Sequence, residues 1–221
     1  MQPDTAGAQE FVPEGASLAQ LRSAAAGCRG CDLYRDATQT VFSAGLIDAD
    51  YVLVGEQPGD EEDQRGRPFV GPAGRLLVQV MLEVNLDPKR AYVTNVVKHF
   101  KFEQRGKRRI HQKPGPVEIG ACRPWLTAEF GLLRPRVVVA LGATAAQALA
   151  GPSFRVTRSR GELLPWPESA GYPEDFPTVD PPARFLATLH PSAILRADNR
   201  DLAYEGLRAD LAVVAEALGR T

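Results

Sequence analysis

Four short apolar segments rich in β-branched residues recur along the chain. They are residues 51–55, 91–96, 137–141 and 185–189. Continuous apolar runs of this length, without polar alternation, are typical of strands that are buried on both faces, as in a parallel sheet. The pattern therefore predicts four parallel strands in the centre of the protein.

Helical patterns alternate with these strands. Ser17 is suited to cap a first helix that leads to Cys28, and further helices are expected after residues 71–74, over 116–130, after Gly142 and over 202–218. Alternating strands and helices predict an α/β fold, a three-layer α/β/α sandwich around a four-stranded parallel sheet. In such folds ligands bind at the carboxyl ends of the strands.

Composition indicates a single folded domain. The chain has 221 residues with 44% hydrophobic and 24% charged residues, which is ordinary for a soluble globular protein. No apolar run approaches the roughly 20 residues of a membrane span, and the start does not resemble a secretory signal. We expect a cytoplasmic monomer with no membrane contact, a disordered lead-in over 1–15 and one domain over 16–221. Six prolines in 165–182 predict a surface excursion.

Three of the predicted strands run into polar residues. Glu56 follows the first strand, Asn95 ends the second and His190 follows the fourth. Each residue alone is more often a loop hydrogen-bonding group than a functional one. Because parallel strands deliver their carboxyl ends to one rim, the three together predict an active site there.

Residues 98–113 carry most of the chain's asymmetry in charge. Seven Lys/Arg and one acid give them a local charge of +6, whereas the whole chain has a net charge of -1. His99 and His111 lie in the same segment. A solvated charge run is the simpler interpretation, but a basic loop beside a polar strand rim is also typical of phosphate binding. The acidic run 60–63 is most simply a solvated loop.

The three cysteines include the pair Cys28-Arg-Gly-Cys31. In a chain without a secretory signal, this spacing favours metal or redox chemistry over a disulfide framework. Buried cysteines without a ligand are the alternative.

Several motifs together resemble the family-4 uracil-DNA glycosylases of the uracil-DNA glycosylase superfamily, from about Cys28 to the C-terminus. The matching segments are Gly55-Glu56-Gln57-Pro58-Gly59, residues 68–74, 95–98 and 121–126, and His190-Pro191-Ser192. Within that family the chain is similar to the UdgX branch, since it has Gln57, has His99 where most members have cysteine, and carries the inserted segment 107–111.

The resemblance implies roles for individual residues. Phe69 would stack on a flipped uracil, Asn95 would bind its Watson–Crick edge, and His190 would stabilise the departing base. Glu56 would lie beneath the sugar, and His111 would become covalently attached to C1′ of the abasic deoxyribose in a single turnover. The same motifs assign Gln57 to the catalytic group and four residues to substrate binding: Gly55, Asp60, Arg109 and Ser192.

A cofactor and a partner follow from the same resemblance. It implies a 4Fe-4S cluster on Cys28, Cys31, His99 and Cys122, although this ligand set is also compatible with zinc. The partner is uracil-containing DNA, and single strands are favoured because a base is extruded from them most easily. The residues expected to contact DNA are Lys101, Arg105, Lys107, Arg108 and Arg196.

Three alternatives stay open from the sequence. The first is a conventional family-4 glycosylase with many turnovers, in which the basic loop only binds DNA. The second is a binder of uracil-containing or single-stranded DNA without catalysis. The third, a metal-dependent phosphodiesterase, is weak because the acidic residues show no clear ligand pattern.

Overall fold

The computed structural model describes residues 7–167 and 183–220. The helices in this part of the chain are α1 Leu18–Ala25, α2 Asp60–Arg65, α3 Pro72–Glu83, α4 Pro116–Leu132, α5 Ala143–Ala150, α6 Val156–Ser159, α7 Pro191–Leu195 and α8 Arg200–Ala217. The strands are β1 Ser43–Ala44, β2 Tyr51–Gly55, β3 Ala91–Asn95, β4 Phe102–Arg105, β5 Arg108–His111, β6 Val137–Leu141, β7 Leu164–Pro165 and β8 Arg184–Thr188.

A six-stranded sheet forms the middle layer, in the order β1-β3-β2-β6-β8-β7. Its four central strands are parallel, which confirms the predicted α/β sandwich. The two edge strands, β1 and β7, pair antiparallel with β3 and β8. The sequence prediction missed them because strands of two residues have no hydrophobic period to detect.

Two apolar cores lie on opposite faces of the sheet. Along β2, Val52 and Val54 face one core with α1, α4 and α5, whereas Tyr51 and Leu53 face the other with α3, α7 and α8. This alternation follows from the two-residue period of a strand. Each fully buried aliphatic side chain contributes about 1.5–3 kcal/mol, so both faces hold the strand ends in place.

The helix signals agree well with the structure. Ser17 caps α1, as the sequence predicts, and its side chain and that of Gln20 form a capping box. The interpretation of 60–63 as a solvated loop is wrong, because these residues begin α2, and Glu62 and Asp63 are buried. Long-range partners, described below, account for this burial.

The basic segment forms an ordered hairpin rather than a loose loop. Strands β4 and β5 pair antiparallel, with Phe102 opposite His111, and the chain reverses at Gly106, whose φ is +59°. Glycine is favoured there because other residues rarely adopt positive φ.

Two of the predicted segments, the N-terminal lead-in and the proline-rich segment, lie only partly within the described residues. The predicted lead-in is described from residue 7, where the Ala8 N–H donates to the Ala121 carbonyl at 2.8 Å and Phe11 and Val12 pack against a core. Of the proline-rich segment, residues 168–182 lie outside the described residues. Among the helices described, none combines the length and apolar character needed to cross a membrane.

Candidate active site

A cavity of about 310 Å³ opens at the carboxyl ends of β2, β3, β6 and β8. It brings together eight residues that the sequence predicts for the site: Glu56, Gln57, Phe69, Asn95, His111, His190, Ser192 and Arg196. The structure therefore collects both the strand-end residues and the hairpin histidine around one space.

Glu56 follows β2 and has two partners. Thr144 at the start of α5 donates a hydrogen bond from Oγ1 to Oε2 of Glu56. The other carboxylate oxygen, Oε1, lies 3.4 Å from Nε2 of His111. One carboxylate oxygen of Glu56 is thus held by the Thr144 hydroxyl, and the other faces the His111 imidazole.

Phe69 lies on the cavity wall in a strained backbone conformation, with a φ of +55°. Two glycines make room for it. A Cβ on Gly74 would lie 1.8 Å from the Phe69 carbonyl oxygen, and one on Gly55 would lie 2.7 Å from its Cζ. Such strain persists only where the surroundings hold it, and it is typical of functional sites.

Asn95 ends β3 and is 1% exposed. Its Oδ1 has no hydrogen-bond partner among the described residues, and a Cβ on Gly55 would lie 2.3 Å from that oxygen. An unpaired buried acceptor costs about 1–3 kcal/mol. The amide therefore has an open hydrogen-bonding position at a cavity wall.

His190 is the N-cap of α7, and the Ser192 backbone N–H donates to its Nδ1 at 3.1 Å. Because Nδ1 accepts, the neutral ring carries its proton on Nε2. Burial lowers the pKa of His190 to about 4, and the charge of Arg196 and, when it is protonated, that of His111 act in the same direction. Near neutral pH the residue is an uncharged N–H donor.

His111 ends β5, with a side chain 46% exposed. Burial lowers its pKa below the ordinary value, although the carboxylate of Glu56 acts in the opposite direction. Its ring lies 6.0 Å from that of Phe100. A neutral imidazole, which has one free electron pair, therefore lies over the cavity mouth.

Gln57, which the motifs assign to the catalytic group, holds the base of the hairpin. Its Nε2 donates to the carbonyls of Lys101 and Gln112 at 3.2 and 3.0 Å, and its Oε1 accepts from the Lys101 N–H at 3.1 Å. Both ends of the amide are occupied by backbone. The contacts thus place the two ends of the hairpin and, with them, His111.

Arg109 is a second attachment point. Its guanidinium donates to the carboxylates of Asp60 and Asp63 and, at 3.0 Å, to Thr38 Oγ1. It also lies over the rings of Phe100 and Phe102, 5.5 and 5.0 Å from their centroids. Arg109 and Asp60 are not among the residues that line the cavity, so their contacts hold the hairpin on α2.

The residues expected to bind DNA differ in their availability. Lys101 pairs with Glu118 at 2.6 Å and Arg105 with Glu103 at 2.9 Å. Lys107 and Arg108 are exposed at the hairpin turn, and Arg196 is exposed at the cavity. Ser192 contacts His190, with 2.8 Å between Oγ and Nδ1.

Sequence reasoning missed polar residues that line the site, among them Glu62 and Thr144. The carboxylate of Glu62 accepts from the backbone N–H groups of Gly59 and Gly71 at 3.2 and 2.7 Å, and so joins the two loops that flank the cavity. Thr144 follows β6, and the sequence analysis assigned no site residue to the end of that central strand. Its position three residues after the last residue of a predicted strand was the available signal.

The three cysteines are buried and carry free thiols. The Lys98 backbone N–H donates to Cys122 Sγ at 3.3 Å, and the Trp125 indole N–H donates to Cys28 Sγ at 3.2 Å. Burial raises the pKa of Cys31, and raises that of Cys122 to about 12. Within 7–167 and 183–220, no group of three or more His, Cys, Asp or Glu side chains is drawn together closely enough to hold a metal ion.

His99, the fourth expected ligand, is buried. Its Nε2 lies 2.9 Å from Thr40 Oγ1, and that hydroxyl donates its proton to the Ala25 carbonyl at 2.8 Å. The hydroxyl can therefore only accept from His99, which places the ring proton on Nε2 and leaves an electron pair on Nδ1. Burial lowers the pKa of His99 to about 4. A neutral imidazole and three thiols fit the donor chemistry of a soft metal group.

Comparison with known proteins identifies the class to which this fold and site belong. Residues 42–212 match the uracil DNA glycosylase superfamily. The chain belongs to that superfamily and is a uracil-DNA glycosylase.

More particular similarity is to type-4 uracil-DNA glycosylases. The chain is 35% identical to that of Thermotoga maritima, over 79% of this chain and 81% of the relative. It is 33% identical to that of Sulfurisphaera tokodaii, over 76% and 75% of the two chains. It is 32% identical to that of Pyrobaculum aerophilum, over 81% and 85%.

Proposed function

We propose that this uracil-DNA glycosylase excises uracil from DNA, with single strands favoured, and then becomes covalently linked, through His111, to C1′ of the resulting abasic deoxyribose. One observation carries the proposal. A neutral imidazole lies 3.4 Å from the carboxylate of Glu56, at the mouth of a cavity that has groups suited to hold a base.

Base recognition is the first step. Uracil presents an N3–H donor between two carbonyl acceptors on its Watson–Crick edge. The Asn95 amide offers one acceptor and two donors, and its Oδ1 has no partner among the described residues. Phe69 supplies an aromatic face for stacking, with its ring 6.1 Å from that of His190. The Nε2–H of His190 is a donor for a carbonyl oxygen.

Cleavage of the N-glycosidic bond is the second step. The bond's electron pair leaves with uracil, so negative charge develops on the base and positive charge at C1′. The neutral His190 donor stabilises the anion without surrendering a full proton, and the Glu56 carboxylate stabilises the cation. Preorganised groups of this kind supply the largest part of many enzymatic rate enhancements.

Capture of the sugar is the third step. Nε2 is the ring nitrogen of His111 that lies at the Glu56 carboxylate, and we assign it the electron pair, with the proton of the neutral ring on Nδ1. Nε2 forms the new bond to C1′, and the resulting imidazolium can release its Nδ1 proton to solvent. A positioned imidazole has a large advantage over water. Because the N-alkylated ring has no easy leaving pathway, the reaction stops after one turnover.

The experiment mixes the protein with a single-stranded oligonucleotide that contains one uracil and resolves the products on a denaturing gel. We expect a shifted protein–DNA band with one sugar on His111 by peptide mass spectrometry. The His111→Ala protein should release uracil, form no band and leave a free abasic site. Lys107→Ala, on the same hairpin, is the matched control and should still form the band.

The conventional multiple-turnover glycosylase is the alternative. It predicts free abasic product from the wild-type protein and no shifted band, with the hairpin acting only in DNA binding. A band that persists in His111→Ala would leave covalent capture intact but assign it to another residue. A protein that binds the oligonucleotide but releases no uracil would contradict both schemes.

A 4Fe-4S cluster is part of the proposal, held by Cys28, Cys31, His99 and Cys122. Such a group, when bound, takes the sulfurs as thiolates, and it would tie α1, α4 and the start of the hairpin segment together. The buried thiols, their N–H donors and the electron pair on His99 Nδ1 support this ligand set. Zinc uses the same ligand types.

Metal analysis and visible absorbance of the purified protein distinguish the two metals, because a brown protein with broad absorbance contains the cluster. Thr40→Val tests the role of His99, since it removes the acceptor that fixes the ring proton. Outer partners of ligating histidines typically change metal affinity by about 10–100-fold, so this variant should lose metal faster to a chelator. Thr38→Val is the control, and equal loss rates in the two variants would contradict the assignment.

A further inference from the structure

The turn between β6 and α5 contacts two of the residues to which we assign chemistry. Gly142 has a φ of +87°, and a Cβ there would lie 2.9 Å from the Cβ of His190. Two residues later, Thr144 donates from Oγ1 to Oε2 of Glu56. Residues of this turn line the cavity and contact the side chains of both Glu56 and His190.

The Thr144 hydroxyl bonds a side chain that is distant in sequence. Thr144 lies in the first turn of α5, where no preceding helical turn offers a backbone carbonyl to the hydroxyl. Thr144 instead reaches a side chain 88 positions earlier in the chain, and it is 5% exposed. Ordering these two side chains has an entropic cost. A hydrogen bond to a charged group is strong enough to offset that cost.

We infer that Thr144 is the positioning residue that holds the Glu56 carboxylate in its reactive orientation. With Oε2 bound to the hydroxyl, Oε1 is the oxygen directed at the mouth, where it faces Nε2 of His111 at 3.4 Å. The same oxygen is the one available to the sugar cation. The inference rests on the proposed function, because it gives Glu56 the task of stabilising that cation.

Loss of the hydroxyl has two consequences. The carboxylate can rotate away from the position of C1′, which slows bond cleavage. It can also approach the imidazole more closely, and a closer negative charge favours protonation of that ring. A protonated imidazole has no electron pair for C1′, so a larger fraction of the cleaved sugar is captured by water. Thr144 therefore sets both the rate of cleavage and the partition between adduct and free abasic site.

The test compares Thr144→Val, which keeps the shape but removes the hydroxyl, with Thr144→Ser, which keeps the hydroxyl. Thr127→Val, in α4, is the control for replacing a helical threonine. Each protein is mixed in excess with a single-stranded uracil oligonucleotide. Released uracil, adduct and alkali-labile abasic site are measured over time, and binding is measured with an oligonucleotide that contains non-cleavable 2′-fluoro-2′-deoxyuridine.

We expect Thr144→Val to release uracil roughly 10–100-fold more slowly, the range for a lost hydrogen bond to a charged group. Its product should contain a larger share of free abasic site, and its affinity for the non-cleavable oligonucleotide should change less than about twofold. Thr144→Ser should recover most of the rate, and Thr127→Val should behave as wild type.

Wild-type rate and partition in Thr144→Val would overturn the inference, and so would a Thr144→Ser protein as slow as Thr144→Val. Equal losses of binding and rate would show a structural role only. If the wild-type protein releases uracil but forms no adduct, the proposed covalent capture fails. The rates of uracil release from the Thr144 variants then still test whether Thr144 positions Glu56.

Discussion

The carboxyl rim of the sheet and the β4–β5 hairpin hold the two halves of the site in different ways. Glu56, Asn95 and His190 follow strands that are packed between two apolar cores. His111 instead ends a separate two-stranded sheet, which side chains such as Gln57 and Arg109 attach to the body. The groups proposed to bind and release the base are thus built into the core, whereas the proposed nucleophile is carried on an attached element. The two functions should be separable by mutation.

The largest effect on uracil release is expected from Gly55→Ala, which disrupts the carboxyl rim of the sheet. The new Cβ would lie 2.3 Å from Asn95 Oδ1 and 2.7 Å from Phe69 Cζ, so it displaces both groups that we propose to bind the base. Overpacking costs about 1–3 kcal/mol, and here the strain would move side chains that hold the base in position. We therefore expect uracil release to slow at least roughly 100-fold. Single-turnover assays measure this effect.

Gly120→Ala is the matched control for that substitution, since no atom lies within 4 Å of a Cβ built there. It replaces a helical glycine and should be neutral or stabilising by up to about 1 kcal/mol. A Gly55→Ala protein that retains nearly full activity would show that the rim is less rigid than the contacts indicate.

Breaking the hairpin attachment with Arg109→Met should have a smaller and more selective effect. It leaves Asp63, whose side chain is 0% exposed, without its cation, and breaking a buried pair costs about 3–5 kcal/mol. Adduct formation should slow roughly 30-fold as the hairpin loosens, with uracil release much less affected. Gel and uracil assays on the same samples provide both rates.

Arg105→Met removes the same charge from the same hairpin and serves as its control. Its partner Glu103 is exposed, and exposed pairs contribute about 0–1 kcal/mol. Parallel losses of adduct formation and uracil release in Arg109→Met would mean that the hairpin is also needed for cleavage.

Gln57→Leu sharpens the comparison further, because it distinguishes a positioning role from the catalytic one expected from the motifs. It removes three hydrogen bonds to the base of the hairpin, each contributing about 1 kcal/mol. We expect adduct formation to slow about tenfold while uracil release stays near wild type. A loss of uracil release as large as the loss of adduct would support direct catalysis, and Gln104→Leu on the exposed hairpin face is the control.

The smallest effect on catalysis is expected from pH, through His190 on the rim. Its folded-state pKa is about 4, below the ordinary value near 6.5. Between these values the unfolded chain binds the extra proton and the folded one does not, so stability falls as pH is lowered. The contribution of His190 to the free energy of unfolding should drop by about 2 kcal/mol from pH 7 to pH 5, and uracil release should show no loss from His190 titration in that interval.

Urea unfolding at the two pH values checks this prediction. The His190→Gln protein lacks the titrating group and should lose correspondingly less stability. If wild type and variant show the same pH dependence, the imidazole is not held in the neutral form by its surroundings.

Much of the fold was predictable because its signals are local. The four parallel strands are continuous apolar runs, and α1 has a capping serine, so period and capping chemistry locate them. Glu56, Asn95 and His190 were predictable as a group because parallel strands share one carboxyl rim. The helical state of α2 was not, since the burial of Glu62 and Asp63 depends on Gly71, Thr38 and Arg109, which are distant in sequence.

By itself, the sequence determined the layer order, the strand rim and the kinds of groups available there, because hydrophobic period and residue chemistry are properties of short segments. Only the tertiary structure decided that His111 faces Glu56, that Gln57 holds the hairpin base and that Thr144 supports the carboxylate. These contacts join residues that are far apart in the chain. Their geometry follows from how the two cores and the hairpin pack, which no local pattern encodes.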